Sequence, residues 1–309
     1  MKIYYHIDDF IKLDNAVVTS GTFDGVHIGH QKILHRLKEI AAKSNGETVV
    51  ITFWPHPRLV LYPGDSSLKL LNTFEEKADL LKAEGIQHLL RIPFTKEFSQ
   101  IHSNEFIRNI LVDCIGTKKL VIGYDHRFGK NREGSFEDLK KNSSGYGFSV
   151  EEIPKQEVDQ VGVSSTKIRQ ALLDGEVEIA AQFIGRPYSL SGRVIKGERL
   201  GRMMGFPTAN IDVDAHNKLI PSEGIYAVKV QHAELIFKGM LYIGNRPTLN
   251  GTSRSIEVNI FDFDYEIYGE TLKIDFIQRI RKDIKFQDIE ALKNQLQEDK
   301  KVALEILVG

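Results

Sequence analysis

The chain has 309 residues, of which 41% are hydrophobic, enough for one large or two ordinary globular domains with their own cores. Its 41 basic and 42 acidic residues leave a formal net charge of -1, so no overall field draws it to nucleic acid or to an anionic membrane. The single cysteine, Cys114, excludes an intramolecular disulfide, and no apolar run reaches the ~18 residues of a membrane span, so we expect a cytoplasmic protein.

A strand, a glycine-containing loop, a helix and a second strand follow one another near the start of the chain. Val17 to Thr19 are apolar or β-branched, as in a buried strand, and Thr48 to Phe53 form a similar run. Between them, Gln31 to Ala42 carry apolar residues along one helical face. This βαβ pattern predicts a parallel sheet with the loop at the carboxyl end of its first strand.

Two histidines bracket a glycine where that helix begins. The first N–H groups of a helix lack partners and the helix dipole is positive there, so an anion is favoured. His27 and His30 add donors, and Gly29 lets the backbone approach a phosphate closely. The spacing favours a phosphate site over a cap plus a surface residue. Zinc is less favoured, because this H-x-x-H lacks the i, i+4 spacing and the glutamate of the zincin pattern.

The run G-T-F-D-G-V-H-I-G-H, Gly21 to His30, resembles the signature of the HxGH nucleotidyltransferases. These enzymes attach a nucleotide to a phosphorylated acceptor and release pyrophosphate. With F-D-G before V-H, the run is most similar to the prokaryotic bifunctional riboflavin kinase/FAD synthetase family. The resemblance implies that Gly21, Phe23, Gly29 and His30 bind ATP, and that His27 and His30 are catalytic.

Further helices and strands alternate through the first half of the chain. Thr73 and Glu76 form a capping box for a helix that ends at Gly85, and Ser103 is expected to cap a helix through about Leu111. Short apolar strands are predicted at Leu89 to Ile92 and at Lys119 to Gly123. The alternation predicts an α/β fold with a doubly wound, Rossmann-like parallel sheet.

Two loops follow strands of this predicted sheet, and the family resemblance assigns both to the flavin. His56 and Pro57 lie just beyond the second strand, in a T-F-x-P-H-P run that the family shares. The loop from Gly123 to Gly134 contains a G-x-[DN]-x-x-F-G pattern, through which the resemblance implies flavin contacts for Asp125 and Phe128. Both loops are expected at the carboxyl edge of the sheet.

Another helix start gathers hydroxyls and cations within a few residues. Ser164 or Ser165 can be its N-cap, and Thr166, Lys167 and Arg169 follow. Hydroxyls, free N–H groups and cations together suit a triphosphate. The family has a similar S-S-T-x-I-R element, which implies that Ser164, Ser165, Thr166 and Arg169 bind ATP phosphates and that Arg169 is catalytic.

The sequence pattern changes at about Ile184 and Gly185, which predicts two domains, 1–184 and 185–309. Close spacing of short strands predicts a β-barrel closed against one long helix, about Asp288 to Leu307. The predicted strands lie near Leu190 to Ile195, Ile225 to Val230, Leu235 to Ile243, Ser255 to Phe261 and Leu272 to Ile277.

A glycine-rich segment opens the second domain. Gly197, Gly201 and Gly205 free a loop to wrap around a ligand, and the segment that ends in P-T-A-N closely resembles the riboflavin kinase signature. The three glycines are therefore expected at ATP. Thr208 and Asn210 alternate toward one face of an extended segment, and their neutral oxygens suit Mg²⁺ that retains waters and nucleotide phosphates.

Glu257 lies in a strand whose alternation, by itself, indicates only a solvated face. The resemblance instead implies a general base at its E-x-x-I-F-D-F motif, which takes the proton of the ribityl 5′-hydroxyl. Arg281 and Phe286 match a family segment that implies a flavin contact for Arg281. Two positions depart from the family pattern: Asn245-Arg246 stands in place of Thr-Asn, and Asn259 replaces the common His.

The resemblance as a whole implies a bifunctional enzyme. One half would phosphorylate riboflavin with MgATP to FMN, and the other would adenylylate FMN to FAD. Expected partners are riboflavin, FMN and ATP, without nucleic acid or membrane, and with at most weak self-association. Two alternatives stay open: an HxGH nucleotidyltransferase with a different phosphorylated acceptor, and a catalytically silent flavin-binding sensor.

Overall fold

Two compact units make up the chain, Met1–Ser165 and Thr166–Gly309. The computed structural model describes residues 1–64, 67–123, 127–153, 162–197, 201, 204–213, 216–248 and 251–308. Within these residues no helix is long and apolar enough to span a bilayer.

The first unit is built on a parallel sheet of six strands, β1 (Lys2–Tyr4), β2 (Ala16–Ser20), β3 (Glu47–Trp54), β4 (His88–Pro93), β5 (Thr117–Gly123) and β6 (Ser149–Ile153). Their order in the sheet is β1-β4-β3-β2-β5-β6. The order reverses at β2, whose neighbours are β3 and β5. Ligands of open α/β sheets bind at the carboxyl ends of the strands at such a reversal, and the His27–His30 loop follows β2 there.

Helices cover both faces of this sheet, which confirms the doubly wound prediction. Val17 packs with Leu34 and Leu81 on one face, whereas Val18 packs with Leu111 on the other. Alternate residues of β2 are thus buried in opposite cores, as in a strand covered on both sides. The helices are α1 (Ile28–Ser44), α2 (Pro57–Leu61), α3 (Phe74–Ala83), α4 (Ser103–Glu105, continuing with π geometry over Phe106–Ile115) and α5 (Phe136–Tyr146).

The predicted helix starts have different outcomes. The capping box is confirmed: Thr73 Oγ1 accepts from Glu76 N at 3.2 Å, and Glu76 Oε2 accepts from Thr73 N at 3.0 Å. The prediction that Ser103 caps α4 is wrong. His102 precedes the helix and donates its N–H to Glu105 Oε2, so Ser103 is already the first helical residue.

The predicted barrel is confirmed in the second unit, whose strands are β7 (Tyr188–Ile195), β8 (Ala209–Asp212), β9 (Gly224–His232), β10 (Leu235–Thr248), β11 (Gly251–Ile260) and β12 (Thr271–Arg281). These six antiparallel strands close into a barrel in the order β10-β11-β8-β7-β12-β9. The long helix α8 (Ile289–Ile306) begins after Asp288, whose Oδ1 accepts from Ala291 N at 2.8 Å. Ala303 and Leu307 pack against Met240 and Phe261 of the barrel.

Two helices ahead of the barrel, α6 (Ser165–Asp174) and α7 (Val177–Ile184), are held to it by backbone groups. Leu172 O accepts from Ser222 N at 3.0 Å, and Asp174 O accepts from Arg279 Nη1 at 3.0 Å. The compact units accordingly divide after Ser165, the first residue of α6. The domain boundary at 184/185 stays a prediction about which fragment folds alone.

Candidate functional site

The loop that joins β2 to α1 has an uncommon backbone. Phe23 and Val26 have φ values of 46° and 39°, although neither is glycine, and Gly25 has φ 90°. Such angles are costly for a β-branched residue, so surrounding contacts must hold the loop in this shape. A Cβ on Gly25 would come within 2.7 Å of Leu71 Cδ1, so a glycine is required there on both grounds.

The two predicted catalytic histidines are stacked at the start of α1. His27 caps the helix, and its Nδ1 accepts from His30 N at 3.4 Å. The two rings lie 3.7 Å apart at an interplanar angle of 16°, and the Phe23 ring lies 5.1 Å from His30. Gly21 leaves room for Phe23, because a Cβ there would lie 3.2 Å from that ring. Imidazole groups, first-turn N–H groups and the helix dipole together form an arrangement suited to an anion.

Buried polar groups tie this loop to its surroundings. Asp24, only 3% exposed, accepts at Oδ1 from Leu71 N at 2.9 Å and from Asn72 N at 3.3 Å. Its carbonyl accepts from Ser165 Oγ at 2.9 Å. Ser165, one of the predicted phosphate ligands, is therefore bonded to the same loop that carries the histidines.

A buried lysine lies beside this loop. Lys77 Nζ donates to Thr52 Oγ1 at 3.4 Å, and Thr52 Oγ1 donates to Thr22 O at 3.3 Å. Burial lowers the pKa of Lys77, and the Asp24 carboxylate offsets part of this effect, so that the pKa is about 8. Sequence reasoning missed Lys77, although it shares a helical face with Phe74 and Leu81, three and four residues away, and that face is buried.

The remaining predicted nucleotide ligands lie on either side of the division between the units. Ser164 precedes α6 and is exposed. Thr166 and Arg169 lie in the first turns of α6 in the second unit, where Thr166 is exposed and Arg169 is half-buried. Gly29 is buried in the first turn of α1.

The predicted flavin contacts of the first unit have different environments. His56 caps α2 through Nδ1, which accepts from Arg58 N at 3.2 Å, and Pro57 is the first residue of that helix. Phe128 is buried, with its ring 5.7 Å from that of Phe106. Asp125 lies outside the described residues.

A cavity of about 590 Å³ lies elsewhere in the first unit. Its lining includes Ile7, Phe10, Phe98 and Cys114 but none of the predicted site residues. Cys114 Sγ donates to Ile7 O at 3.4 Å, and burial raises the pKa of the thiol. Cys114 therefore contributes to packing at this cavity, as a protonated thiol.

In the second unit, the predicted base is surrounded by hydroxyl and amide groups. Glu257 accepts from Thr208 Oγ1 at 3.1 Å through Oε2, and from Ser255 Oγ at 3.0 Å through Oε1. Asn210 on β8 is its partner in register across the antiparallel pair. The structure thus brings together all three residues predicted for metal binding and proton transfer. Ser255 was missed because a serine in a strand is an unremarkable sequence feature.

Close packing beside Thr208 and Asn210 requires glycine at two of the predicted loop positions. A Cβ on Gly197 would lie 2.1 Å from Asn210 Nδ2, and one on Gly201 would lie 2.3 Å from Phe206 O. Gly205 has φ 82°, and a Cβ there would meet no atom of the described residues within 4 Å. Side chains at Gly197 or Gly201 would displace the segment that carries Thr208 and Asn210.

Tyr242 is a further residue of this site that the sequence did not indicate. It lies opposite Glu257 in the β10–β11 register, and its hydroxyl donates to Asp283 Oδ2 at 3.2 Å. Burial, with Asp283 and Glu257 nearby, raises the pKa of Tyr242 to about 12. The phenol therefore stays neutral at physiological pH and links β10 to the segment after β12.

Arg281 forms a bidentate ion pair instead of projecting as a single free cation. Its Nε lies 2.9 Å from Asp299 Oδ1, and its Nη2 lies 2.7 Å from Asp299 Oδ2 on α8. Its guanidinium also lies 5.5 Å from the Phe286 ring. Of the two departures from the family pattern, Asn259 has a clear packing role: its Nδ2 donates to Pro207 O at 2.6 Å, next to Thr208.

The donor set around Glu257 fits magnesium better than a transition metal. Among the described residues no group of three or more histidine, cysteine, aspartate and glutamate side chains could hold a metal ion. Thr208, Asn210 and Glu257 offer only oxygen donors besides one amide nitrogen, and hard oxygen ligands completed by waters and phosphates are what Mg²⁺ prefers.

The comparisons with known proteins cover both units. The FAD synthetase family model matches residues 10–167, and the riboflavin kinase model matches residues 184–307. The curated bifunctional riboflavin kinase/FMN adenylyltransferase of Listeria monocytogenes is 40% identical over 92% of this chain and 90% of the relative. That of Escherichia coli K12 is 36% identical over 94% and 93%.

A solved structure has the same fold over nearly the whole length. A crystal structure described as a macrolide-efflux protein from Streptococcus pneumoniae superposes with a TM-score of 0.88 at 32% identity and covers 98% of both chains. The two family models match in the order of the two units seen here, FAD synthetase first and riboflavin kinase second. The chain therefore belongs to the family of bifunctional riboflavin kinases/FMN adenylyltransferases.

Proposed function

We propose that this chain makes both flavin nucleotides: it phosphorylates riboflavin with MgATP to FMN, and it adenylylates FMN with a second ATP to FAD, releasing pyrophosphate. The observation that carries the proposal is the presence of two separate polar sites in one chain. One is the histidine pair at the start of α1, and the other is the Glu257 cluster in the barrel. Each lies in a segment that the corresponding family model matches.

In the kinase step, Glu257 is the general base. Its carboxylate takes the proton of the ribityl 5′-hydroxyl as that oxygen forms a bond to the γ-phosphorus and ADP leaves. Thr208 donates its hydrogen to Glu257, so its lone pairs remain available to a cation. Thr208 and Asn210 would hold Mg²⁺, which when bound neutralises phosphate charge, and Gly197, Gly201 and Gly205 bring the backbone close to ATP.

In the adenylylation step, an FMN phosphate oxygen attacks the α-phosphorus of ATP and pyrophosphate leaves. No nucleophilic side chain is needed, so the protein acts by positioning and by charge stabilisation. His27 and His30 stabilise the charge that develops on pyrophosphate. The family resemblance assigns Ser164, Ser165, Thr166 and Arg169 to the triphosphate.

The flavin contacts of this proposal rest on the resemblance alone. His56, Pro57, Asp125, Phe128 and Arg281 stay predictions, as do the cytoplasmic location and weak self-association. A nucleotidyltransferase with another acceptor would leave the riboflavin kinase match over residues 184–307 unexplained. A silent sensor would not require a carboxylate held by two hydroxyls beside Asn210.

The test is product analysis. The purified chain is incubated with riboflavin and MgATP, and the flavins are separated by chromatography while pyrophosphate is assayed. We expect FMN first, then FAD with one pyrophosphate per FAD, and neither product when EDTA removes the metal. Pantetheine phosphate and nicotinamide mononucleotide serve as competing acceptors. Adenylylation of either in preference to FMN, or absence of FMN formation from riboflavin, would overturn the proposal.

A further inference from the structure

Lys77 is buried in the first unit to an extent that is rare for lysine. It is 2% exposed and is among the largest fully buried side chains of the described residues. Lysine is almost never fully buried unless its charge is compensated, because removal of an ammonium from water is costly. The mechanism proposed above does not use Lys77, so its burial needs a separate explanation.

The contacts of Lys77 lead directly to the nucleotide loop. Its ammonium donates to Thr52 Oγ1, and the single hydroxyl hydrogen of Thr52 is then directed to Thr22 O. Thr52 is 0% exposed, so neither bond competes with bulk water. Hydrogen bonds that form a chain in a buried environment strengthen one another. This chain ends on Thr22, the residue that precedes Phe23.

The loop at the end of this series needs external support. Phe23 and Val26 have positive φ values, and strain of this kind persists only when the surroundings fix it. Lys77 and Thr52 hold the loop at Thr22, while Leu71 and Asn72 hold it at Asp24. Phe23 in turn packs against the ring of His30.

We propose that Lys77 is a positioning residue for FMN adenylylation, acting through Thr52 and Thr22 to hold the loop that presents His27 and His30 to the ATP phosphates. The inference rests on the proposed nucleotide site. Lys77 does not touch the substrate. Its buried positive charge also lies beside a loop that must accept an anion, where low polarity weakens screening.

The ammonium form gives this role a pH signature, because its hydrogen bond to Thr52 Oγ1 is charge-assisted and its charge favours the anion that the loop must accept. The charged group that acts on Lys77 from the loop is the Asp24 carboxylate, whereas β3 presents the uncharged Thr52 and Trp54. Because burial lowers the pKa of Lys77 to about 8, its side chain is mostly a charged ammonium at pH 7 and mostly a neutral amine at pH 9. We therefore expect FAD formation to fall across this interval in the parent protein.

The decisive variant is Lys77→Met, which retains length and apolar packing but not the charge. With the full chain, FMN and MgATP, we expect kcat for FAD formation to fall by about 10²-fold, as for a small misplacement of reacting groups. The remaining activity should lose the alkaline decline near pH 8. Riboflavin phosphorylation by the same sample should equal that of the parent, which shows that the second unit is intact.

Melting of the variant separates positioning from packing. A lysine with a lowered pKa costs stability while it is charged, so Lys77→Met should melt no lower than the parent at pH 7.

Thr52→Val, which is close in shape, removes the link to Thr22 and should also lower FAD formation. Lys218→Met is the matched control, because Lys218 is 4% exposed and lies over Tyr188 in the second unit, and it should leave adenylylation of supplied FMN unchanged.

Three results would overturn the inference. The first is parent-level FAD formation by folded Lys77→Met, and the second is an alkaline decline that persists in it. The third applies if Lys77→Met does not fold: parent-level FAD formation by Thr52→Val. If the parent protein itself makes no FAD from FMN, the proposed function fails instead, so the two failures are distinguishable.

Discussion

The reactive side chains of both sites are held by neighbours through contacts that need no substrate. Glu257 accepts hydrogen bonds from Thr208 and Ser255, and the His30 ring stacks on His27 and contacts the tilted ring of Phe23. Preorganised groups of this kind avoid the cost of reorganisation in the transition state. The account therefore predicts large and separable effects of single substitutions at Glu257 and His30.

Glu257→Gln tests the base. The amide retains the shape of the side chain but cannot take a proton, and loss of a general base typically costs about 10²–10⁴-fold. FMN formation from riboflavin should fall by that factor, whereas FAD formation from supplied FMN should not change. Glu234→Gln, an exposed glutamate of the same unit, is the control. Normal FMN formation by Glu257→Gln would remove Glu257 as the base.

His30→Ala should have the reciprocal effect. Loss of one donor to a developing charge costs on the order of 10²–10³-fold, so FMN should accumulate while little FAD forms. His35→Ala is the matched control, because His35 is exposed on the same helix. If His30→Ala instead abolished riboflavin phosphorylation and spared FAD formation, the two chemistries would be assigned to the wrong units.

The sequence indicated the reactive residues better than the residues that support them. Local spacing around His27 and His30 predicted a phosphate site, and that around Thr208 and Asn210 predicted a magnesium site, whereas the role of Glu257 came from the family resemblance. Thr52, Lys77 and Tyr242 gain their roles only through contacts with distant segments, such as the contact of Lys77 with Thr52 or of Tyr242 with Asp283. Single-residue propensities carry no information about such pairs.

Local signals also explain which secondary-structure predictions were correct. The capping box at Thr73 involves residues three apart, so the sequence is sufficient to locate it. Ser103 was a reasonable N-cap by residue type, but Glu105 takes the N–H of His102 and the helix begins one residue earlier than a Ser103 cap allows. The attachment of α6 to the barrel depends on Arg279, over one hundred residues later in the chain, and could not be predicted from either segment.

Arg281 connects the last barrel strand to α8, and this gives a prediction at the scale of elements. Asp299 is only 1% exposed, so Arg281→Leu would leave a buried carboxylate without its partner, which typically costs about 3–5 kcal/mol. Urea unfolding should show this loss. The double variant Arg281→Leu/Asp299→Leu should recover most of it, because replacement of both charges by apolar groups is often neutral.

Riboflavin affinity distinguishes this structural role from the predicted flavin contact. If the double variant recovers stability and also the KM for riboflavin, Arg281 acts by holding α8. A variant with parental stability and a strongly raised KM for riboflavin would show that Arg281 contacts the flavin directly.

The division into two units predicts which fragments fold. Residues 185–309 contain Thr208, Asn210 and Glu257, so this fragment alone should phosphorylate riboflavin. Residues 166–309 add α6, apart from its first residue, and α7, which buries Val177, Ala180 and Ile184. Burial of a side chain the size of Val177 or Ile184 stabilises the fold by about 2 kcal/mol. The longer fragment should therefore melt at the higher temperature. Equal melting would contradict the role given to α6 and α7, and a folded but inactive 185–309 would show that the kinase site needs the preceding segment.

Two independent sites in one chain are the central claim, and complementation tests it most directly. Glu257→Gln and His30→Ala are each incubated with riboflavin and MgATP, singly and mixed, and FAD is measured. Neither variant alone should form appreciable FAD. The mixture should form it readily, because FMN released by His30→Ala is adenylylated by Glu257→Gln. A mixture that accumulates FMN without FAD, while Glu257→Gln still adenylylates supplied FMN in its own tube, would contradict the claim that the sites exchange free FMN and act independently.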